Sequence, residues 1–302
     1  MEALTSPSEI SRIRAWLLAI RPKTLIASVA PVIAGTGLAI HHGVFTFSPA
    51  FAALLGAICI QIGTNLGNDY YDFLRGGDTE DRVGPVRVTQ AGILAPAAVR
   101  AGMVKALGLA MIAGIYLVWV GGLPILWIGL ASIACAVLYT GGPFPLAYHG
   151  LGDLFVFIFF GLVAVAGTYY VQGLSWSVDA FLVGSGVGAL STALIVVNNL
   201  RDIDTDSRAG KRTLAVRIGR TLTKLEYLFM LSISISVPLL GWMVLDWPVT
   251  VLSSLLVIPL SVSPVKKVIG YAEAHDLLPA LAETAQLVGV YGLALATGFA
   301  LG

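Results

Sequence analysis

Charge is what this 302-residue chain has least of: Asp, Glu, Lys and Arg make up 12% of it, against 57% hydrophobic residues. A soluble domain carries roughly 25% charged residues, so an ordinary water-soluble enzyme is excluded. The net charge is only +1, and no nucleic-acid partner is expected. Cysteine is nearly absent. Cys59 and Cys135 lie inside apolar runs without CxxC spacing, which excludes a disulfide framework and a thiolate metal site and leaves two small packed hydrophobes. The four histidines, His41, His42, His149 and His275, stand scattered at loop ends, so no imidazole metal centre is expected. A signal-peptide pattern is not expected either: Glu2 and Glu9 precede the basic residues, and no small-residue cleavage site closes an apolar region.

What is present is apolar length. Runs close to the roughly 20 residues that span a bilayer fall at 24–41, 48–70, 98–120, 123–139, 151–172, 179–200, 222–245, 248–266 and 281–301. Barrel strands would alternate over about ten residues, so these continuous runs predict helices. The expected fold is an all-α polytopic membrane protein of about nine transmembrane helices, a single domain over 1–302. Residues 9–20, "EISRIRAWLLAI", read as an interfacial amphipathic helix within a cytoplasmic or interfacial segment 1–22.

Basic residues orient the chain. All 18 Lys and Arg precede the first span, surround the loop after the second, fill the loop after the sixth, or follow the eighth. With nine spans and a cytoplasmic N-terminus every one of them is cytoplasmic, as the positive-inside tendency requires, and the C-terminus is extracytoplasmic. The predicted location is the inner or plasma membrane of a prokaryote. Trp119, Trp176, Trp242 and Trp247 fall at the predicted outer ends as an aromatic belt.

An internal repeat lies on top of this pattern. "NDYYD" (68–72) closes span two, and "NNLRDIDTD" (198–206) closes span six. Each is followed by a basic, glycine-containing stretch, "GPVRVTQ" (84–90) and "GKRTLAV" (210–216). Four spans separate the equivalents, so the expected architecture is two parallel four-helix halves plus a ninth helix around a central cavity, with cytoplasmic active-site loops at 71–97 and 201–221.

Helical spacing explains why acids crowd here. Asn68 and Asp72 stand four apart and share a face, whereas Asp69 points about 100° away. Asp78 follows past "RGG", where glycines let the chain turn a carboxylate back. Asn198, Asp202 and Asp206 step along one face, with Asp204 off it. Packed together, the halves would bring Asn68, Asp72, Asp78, Asn198, Asp202 and Asp206 to one site. Like charges that close repel unless cations share the site. Oxygen-only ligation favours Mg²⁺, which takes a few carboxylates plus substrate phosphates, with Mn²⁺ as a possible substitute. Arg87, Lys211 and Arg212 flank both motifs and suit phosphate oxygens. The residues themselves therefore point to a metal-bound diphosphate, with Asn68, Asp72, Asn198 and Asp202 as the catalytic candidates. Glu80, Asp81, Arg100 and Lys105 read as solvated helix ends.

At these residues the sequence resembles the UbiA superfamily of intramembrane prenyltransferases. The resemblance is carried by "NDYYD…GDT…GPVRVTQAG", "YTGGPFPLAYHGLGD" (139–153) and "NNLRDIDTDSRAGKRTLAVRIG" (198–219), and runs from "RPKTLIASVAPVIAG" (21–35) to the last helix. The closest branch is that of the 1,4-dihydroxy-2-naphthoate polyprenyltransferases (MenA type). The general superfamily pattern is NxxxDxxxD. Here Gly76 occupies the third position and Asp78 serves instead, a departure that this branch shares. The resemblance implies Mg²⁺-dependent transfer of a polyprenyl chain from polyprenyl diphosphate to 1,4-dihydroxy-2-naphthoate with loss of CO₂, giving demethylmenaquinol for menaquinone synthesis in the lipid bilayer. It also implies diphosphate or acceptor contacts from Arg21, Lys23 and Tyr139, and an acceptor role for Asp153. Two alternatives stay open at this point. One is another aromatic acceptor, such as hydroxybenzoate or homogentisate, on the same fold. The other is a secondary transporter, although transporter sites lie at the midplane between inverted repeats.

Overall fold

The computed structural model describes residues 10–76 and 83–302; Asp78 lies outside them. Every regular element among the described residues is helical. Among the described residues, apolar helices occupy each of the nine expected positions. Helix α1 (Arg12–Ile20) begins at Ser11, whose side chain accepts from the Arg14 backbone N–H, a common N-cap arrangement. It ends where Arg21 adopts a left-handed conformation, φ 55°. Pro22 then opens a tight turn into α2 (Ile26–His41), and the two segments meet at 47°. The first span thus starts with an angled segment, and Arg21 and Lys23 sit in its elbow.

The remaining spans are α3 (Phe47–Leu74), α4 (Pro96–Gly121), α5 (Leu123–Leu138), α6 (Gly152–Gly173) and α7 (Val178–Arg201). After the short α8 (Ile203–Arg208) come α9 (Leu214–Val244), α10 (Val249–Gly270) and α11 (Leu277–Leu301). Seven of the spans are long and apolar enough to cross a bilayer alone; α2, with 16 residues, reaches that length only with α1, and α5 has 16. The protein is an integral membrane protein. Its outer surface is apolar as lipid demands, with Ile112, Ile115, Trp119, Trp127 and Phe229 all more than half exposed. Trp119, Trp176 and Trp242 are exposed as a belt would be, but Trp247 is not. It is 4% exposed and donates its indole N–H to Asp179 at 2.8 Å, because a buried indole needs a partner.

The most extensive helix pairings are α3 with α4 and α7 with α9, which occupy equivalent places in the two expected halves. The α6–α7 crossing is set by glycines. A Cβ on Gly161 would come within 2.5 Å of the Gly184 carbonyl and of the Gly188 Cα, so only glycine permits this approach. There the helix widens into a π-helical stretch over Phe157–Val163, a feature that often marks functional sites. The close crossing brings the start of α6, with Asp153, beside the end of α7, with Asn198 and Asn199.

Candidate active site

Both acidic motifs are helix ends. Helix α3 continues four residues past its expected end and delivers Asn68 and Asp72 on one face, and α7 delivers Asn198. These three line a single cavity of about 1300 Å³. Arg21, Lys23, Arg87, Tyr139, Asp153 and Lys211 line the same cavity. Of the expected site residues that are described, only Asp202, Asp206 and Arg212 do not form its wall.

Each acid already has partners. Asp72, 3% exposed, accepts from Arg87 at 3.0 Å on one oxygen and from the Tyr148 hydroxyl at 3.0 Å on the other. Asp202, 2% exposed, is clasped by its neighbour Arg201 through two hydrogen bonds of 2.7 Å, and the same guanidinium donates to Asn198 Oδ1 at 2.9 Å. Asp206 faces Lys211 at 3.4 Å. Asn68 Oδ1 accepts from Thr140 at 2.9 Å. Asp153 receives the Asn199 amide at 3.4 Å on one oxygen, while its other oxygen finds no hydrogen-bond partner among the described residues. The Tyr139 phenol lines the cavity at the end of α5, and its hydroxyl can serve there as a hydrogen-bond donor.

Asp69, which helical spacing sets aside, has a structural task. It is fully buried and accepts the backbone N–H groups of Val88 and Thr89 at 3.1 and 3.0 Å, with Arg21 at 3.7 Å. It thereby fixes the loop that carries Arg87 to Asp72. Asp204, by contrast, is 71% exposed and pairs with Arg220, an arrangement worth little in water.

Sequence reasoning missed Tyr148, Arg201, Asn199 and Thr140. Tyr148 lies within "YTGGPFPLAYHGLGD", and its ring also stacks under Arg75 and Lys211 at 5.2 and 5.8 Å. Its backbone carbonyl accepts from the Arg212 N–H at 3.1 Å, so Arg212 positions this segment through its main chain. Arg201 was masked by its place in a run of acids, although its adjacency to Asp202 was a usable signal.

The donor set suits a divalent metal in one specific way. Among the described residues no three or more His, Cys, Asp or Glu side chains gather into a ready-made metal cage. Mg²⁺ seldom uses such a cage; it binds one or two carboxylates together with substrate phosphates. Oxygen donors sharing a cavity with Arg21, Lys23, Arg87 and Lys211 fit that mode.

A membrane-embedded helical bundle in which Asn68, Asp72 and Asn198 share one largely apolar cavity with Arg21, Lys23, Arg87 and Lys211 has the character of an intramembrane enzyme site. The chain belongs to the UbiA prenyltransferase family, whose pattern matches residues 28–276. It is 38% identical over 287 residues to a 1,4-dihydroxy-2-naphthoate octaprenyltransferase of Mycobacterium tuberculosis, covering 95% of this chain and 97% of the relative. It is 32% identical to the enzyme of the same description from Bacillus subtilis, covering 98% and 96%. Among solved structures, a UbiA homolog from Archaeoglobus fulgidus bound to GPP and Mg²⁺ superimposes with a TM-score of 0.64 at 15% identity, covering 94% of this chain and 99% of that one.

Proposed function

We propose that this enzyme transfers a polyprenyl chain from its diphosphate to 1,4-dihydroxy-2-naphthoate, with release of diphosphate and CO₂, as a step in menaquinone synthesis. The observation that carries the reading is the convergence of Asn68, Asp72 and Asn198 with four cationic side chains on one largely apolar cavity. The identity to naphthoate octaprenyltransferases over nearly the whole chain favours this acceptor over other aromatic rings. It also removes the transporter reading.

Arg87 balances the charge of Asp72, and the Tyr148 hydroxyl donates to its other oxygen. An arriving diphosphate competes for the same donors, so Arg87, Lys211 and Arg21 exchange carboxylate oxygens for phosphate oxygens, and Lys23 on the cavity wall adds a further cation. Asn68, Asp72 and Asn198, joined by Asp78, Asp202 and Asp206, are the residues that would hold Mg²⁺, or Mn²⁺ in its place. When bound, the metal supplies charge stabilisation to the departing diphosphate. The Tyr139 phenol donates to the same developing charge. Cavity walls contributed by Ile133, Phe159 and Phe160 exclude water from the allylic cation while the electron-rich ring attacks it. Asp153, with one oxygen still to be satisfied, faces the acceptor. The N-terminus and both acidic motifs lie on the cytoplasmic side, supported by the one-sided distribution of the basic residues.

The test uses sealed vesicles of defined orientation, a water-soluble short-chain prenyl diphosphate and 1,4-dihydroxy-2-naphthoate. Decarboxylated, prenylated product should form only when the cytoplasmic face is outward. It should cease on chelation and return with Mg²⁺, and partly with Mn²⁺. Full turnover after exhaustive chelation, or product from the opposite face, would overturn the corresponding part of the reading.

A further inference from the structure

The cavity wall carries two buried polar atoms without a hydrogen-bond partner among the described residues, and one of them, a carbonyl oxygen, can be satisfied by neither a diphosphate nor a prenyl tail. Gln61 on α3 is 8% exposed and Ser191 on α7 is 2% exposed, and both line the cavity. Gln61 Oε1 and Ser191 Oγ have no hydrogen-bond partner among the described residues. An orphaned buried polar atom costs roughly 1–3 kcal/mol, so each asks for an explanation. Their positions are equivalent: Gln61 lies seven residues before Asn68, and Ser191 seven before Asn198. Two helical turns place each on the motif's own face, about 10 Å deeper into the membrane. The two halves of the repeat thus contribute a second, uncharged polar layer beneath the acidic one.

The polarity of Gln61 is fixed by its neighbours. The Asn65 amide N–H₂ donates to the Ile20 carbonyl at 2.8 Å and to the Thr24 hydroxyl at 2.9 Å. Asn65 therefore presents its oxygen to Gln61, whose own N–H₂ donates to it at 3.2 Å. The atom of Gln61 left without any partner among the described residues is its carbonyl oxygen, which only accepts. Ser191 Oγ has no hydrogen-bond partner among the described residues either, while the Gly188 carbonyl one turn back accepts from Thr192 at 2.8 Å. A diphosphate and a carboxylate are acceptors, and a prenyl chain has no polar hydrogen. None of them satisfies Gln61.

Resting on the prenyl-transfer reading, we propose that Gln61 and Ser191 form the acceptor subsite and that Gln61 reads a phenolic O–H of the aromatic ring. The same oxygen opposes a quinone carbonyl, so the subsite selects the dihydroxy form of the ring and disfavours its oxidised form.

Equilibrium binding and kinetics with 1,4-dihydroxy-2-naphthoate and its two monomethyl ethers test this. The wild-type protein should bind the diol about tenfold more tightly than one of the ethers, the scale of one hydrogen bond made in a buried site. Gln61→Leu should erase that preference and raise the acceptor KM about tenfold, with the KM of the prenyl diphosphate unchanged. Ser191→Ala, which disturbs no other contact, should weaken acceptor binding severalfold and leave donor binding alone. A diol preference that persists in Gln61→Leu, or donor and acceptor KM rising together in both variants, would overturn the subsite. A wild-type protein that binds the diol selectively but never prenylates it would overturn the function and not the subsite.

Discussion

The two acidic motifs share letters and position but are neutralised in opposite ways. Asp72 is held from a distance: Arg87 comes from the loop that Asp69 anchors, and Tyr148 from the segment between α5 and α6. Asp202 is held by the residue just before it in the chain, Arg201, and is not part of the cavity wall. The first motif is thus assembled only when several elements pack together, while the second carries its own counter-charge. A ligand can draw Arg87 from Asp72 without breaking a helix end, whereas Arg201 is buried and also holds Asn198. The first half supplies the exchangeable part of the site and the second its fixed wall.

The comparison is broken most directly by paired substitutions. Asp72→Asn should lower turnover about a hundredfold or more, the loss of a few kcal/mol of transition-state stabilisation, with the thermal midpoint little changed. Asp202→Asn should cost about tenfold, on the scale of one charge-assisted hydrogen bond. Initial rates at saturating Mg²⁺, normalised to folded protein, decide this; equal losses would mean that the Arg201 clasp opens as readily as the Arg87 pair. Asp69→Ala should act on stability first. It leaves the N–H groups of Val88 and Thr89 unpaired in a buried place, at roughly 1–3 kcal/mol each. The thermal midpoint should drop, and lost activity should return on cooling. Activity lost at all temperatures with an unchanged midpoint would instead place Asp69 among the reacting groups.

Much of this was legible in the sequence, because period and composition act locally. Each of the nine apolar runs is a helix among the described residues, and the spacing of Asn68 and Asp72 placed both on the cavity. What was hidden depends on contacts across the chain. The i, i+1 offset of Asp69 marked it correctly as off the shared face, yet nothing local shows that this other face meets the 87–89 backbone. Trp247 was similarly read as belt because its burial depends on Asp179 and Phe299, distant in sequence. Tyr148 was visible as a letter, but its role follows from a fold that sets it against Asp72.

Smaller effects sharpen the contrast further. Tyr148→Phe removes one of the two donors on Asp72 and should reduce turnover severalfold, while leaving the response to Asp202→Asn unaltered in a double-mutant cycle. Strong coupling between Tyr148 and Asp202 would join the motifs into one unit. Asp204→Asn should stay within about twofold of wild type in rate, since an exposed ion pair contributes about 0–1 kcal/mol. A large loss there would give the exposed side of the second motif a direct part in catalysis.

Helix α5 has 16 residues, of which only Ile125 and Ala136 are buried, while Leu126, Gly129 and Ile133 line the cavity. At about 1.5 Å per residue it covers about 24 Å, less than the roughly 30 Å of a hydrocarbon core. The bilayer beside α5 must therefore thin, or the helix must draw headgroups inward, each at a modest elastic cost. Hydrophobic mismatch is thus built in next to the reaction cavity, and the enzyme's working environment includes the thickness of the membrane that holds it.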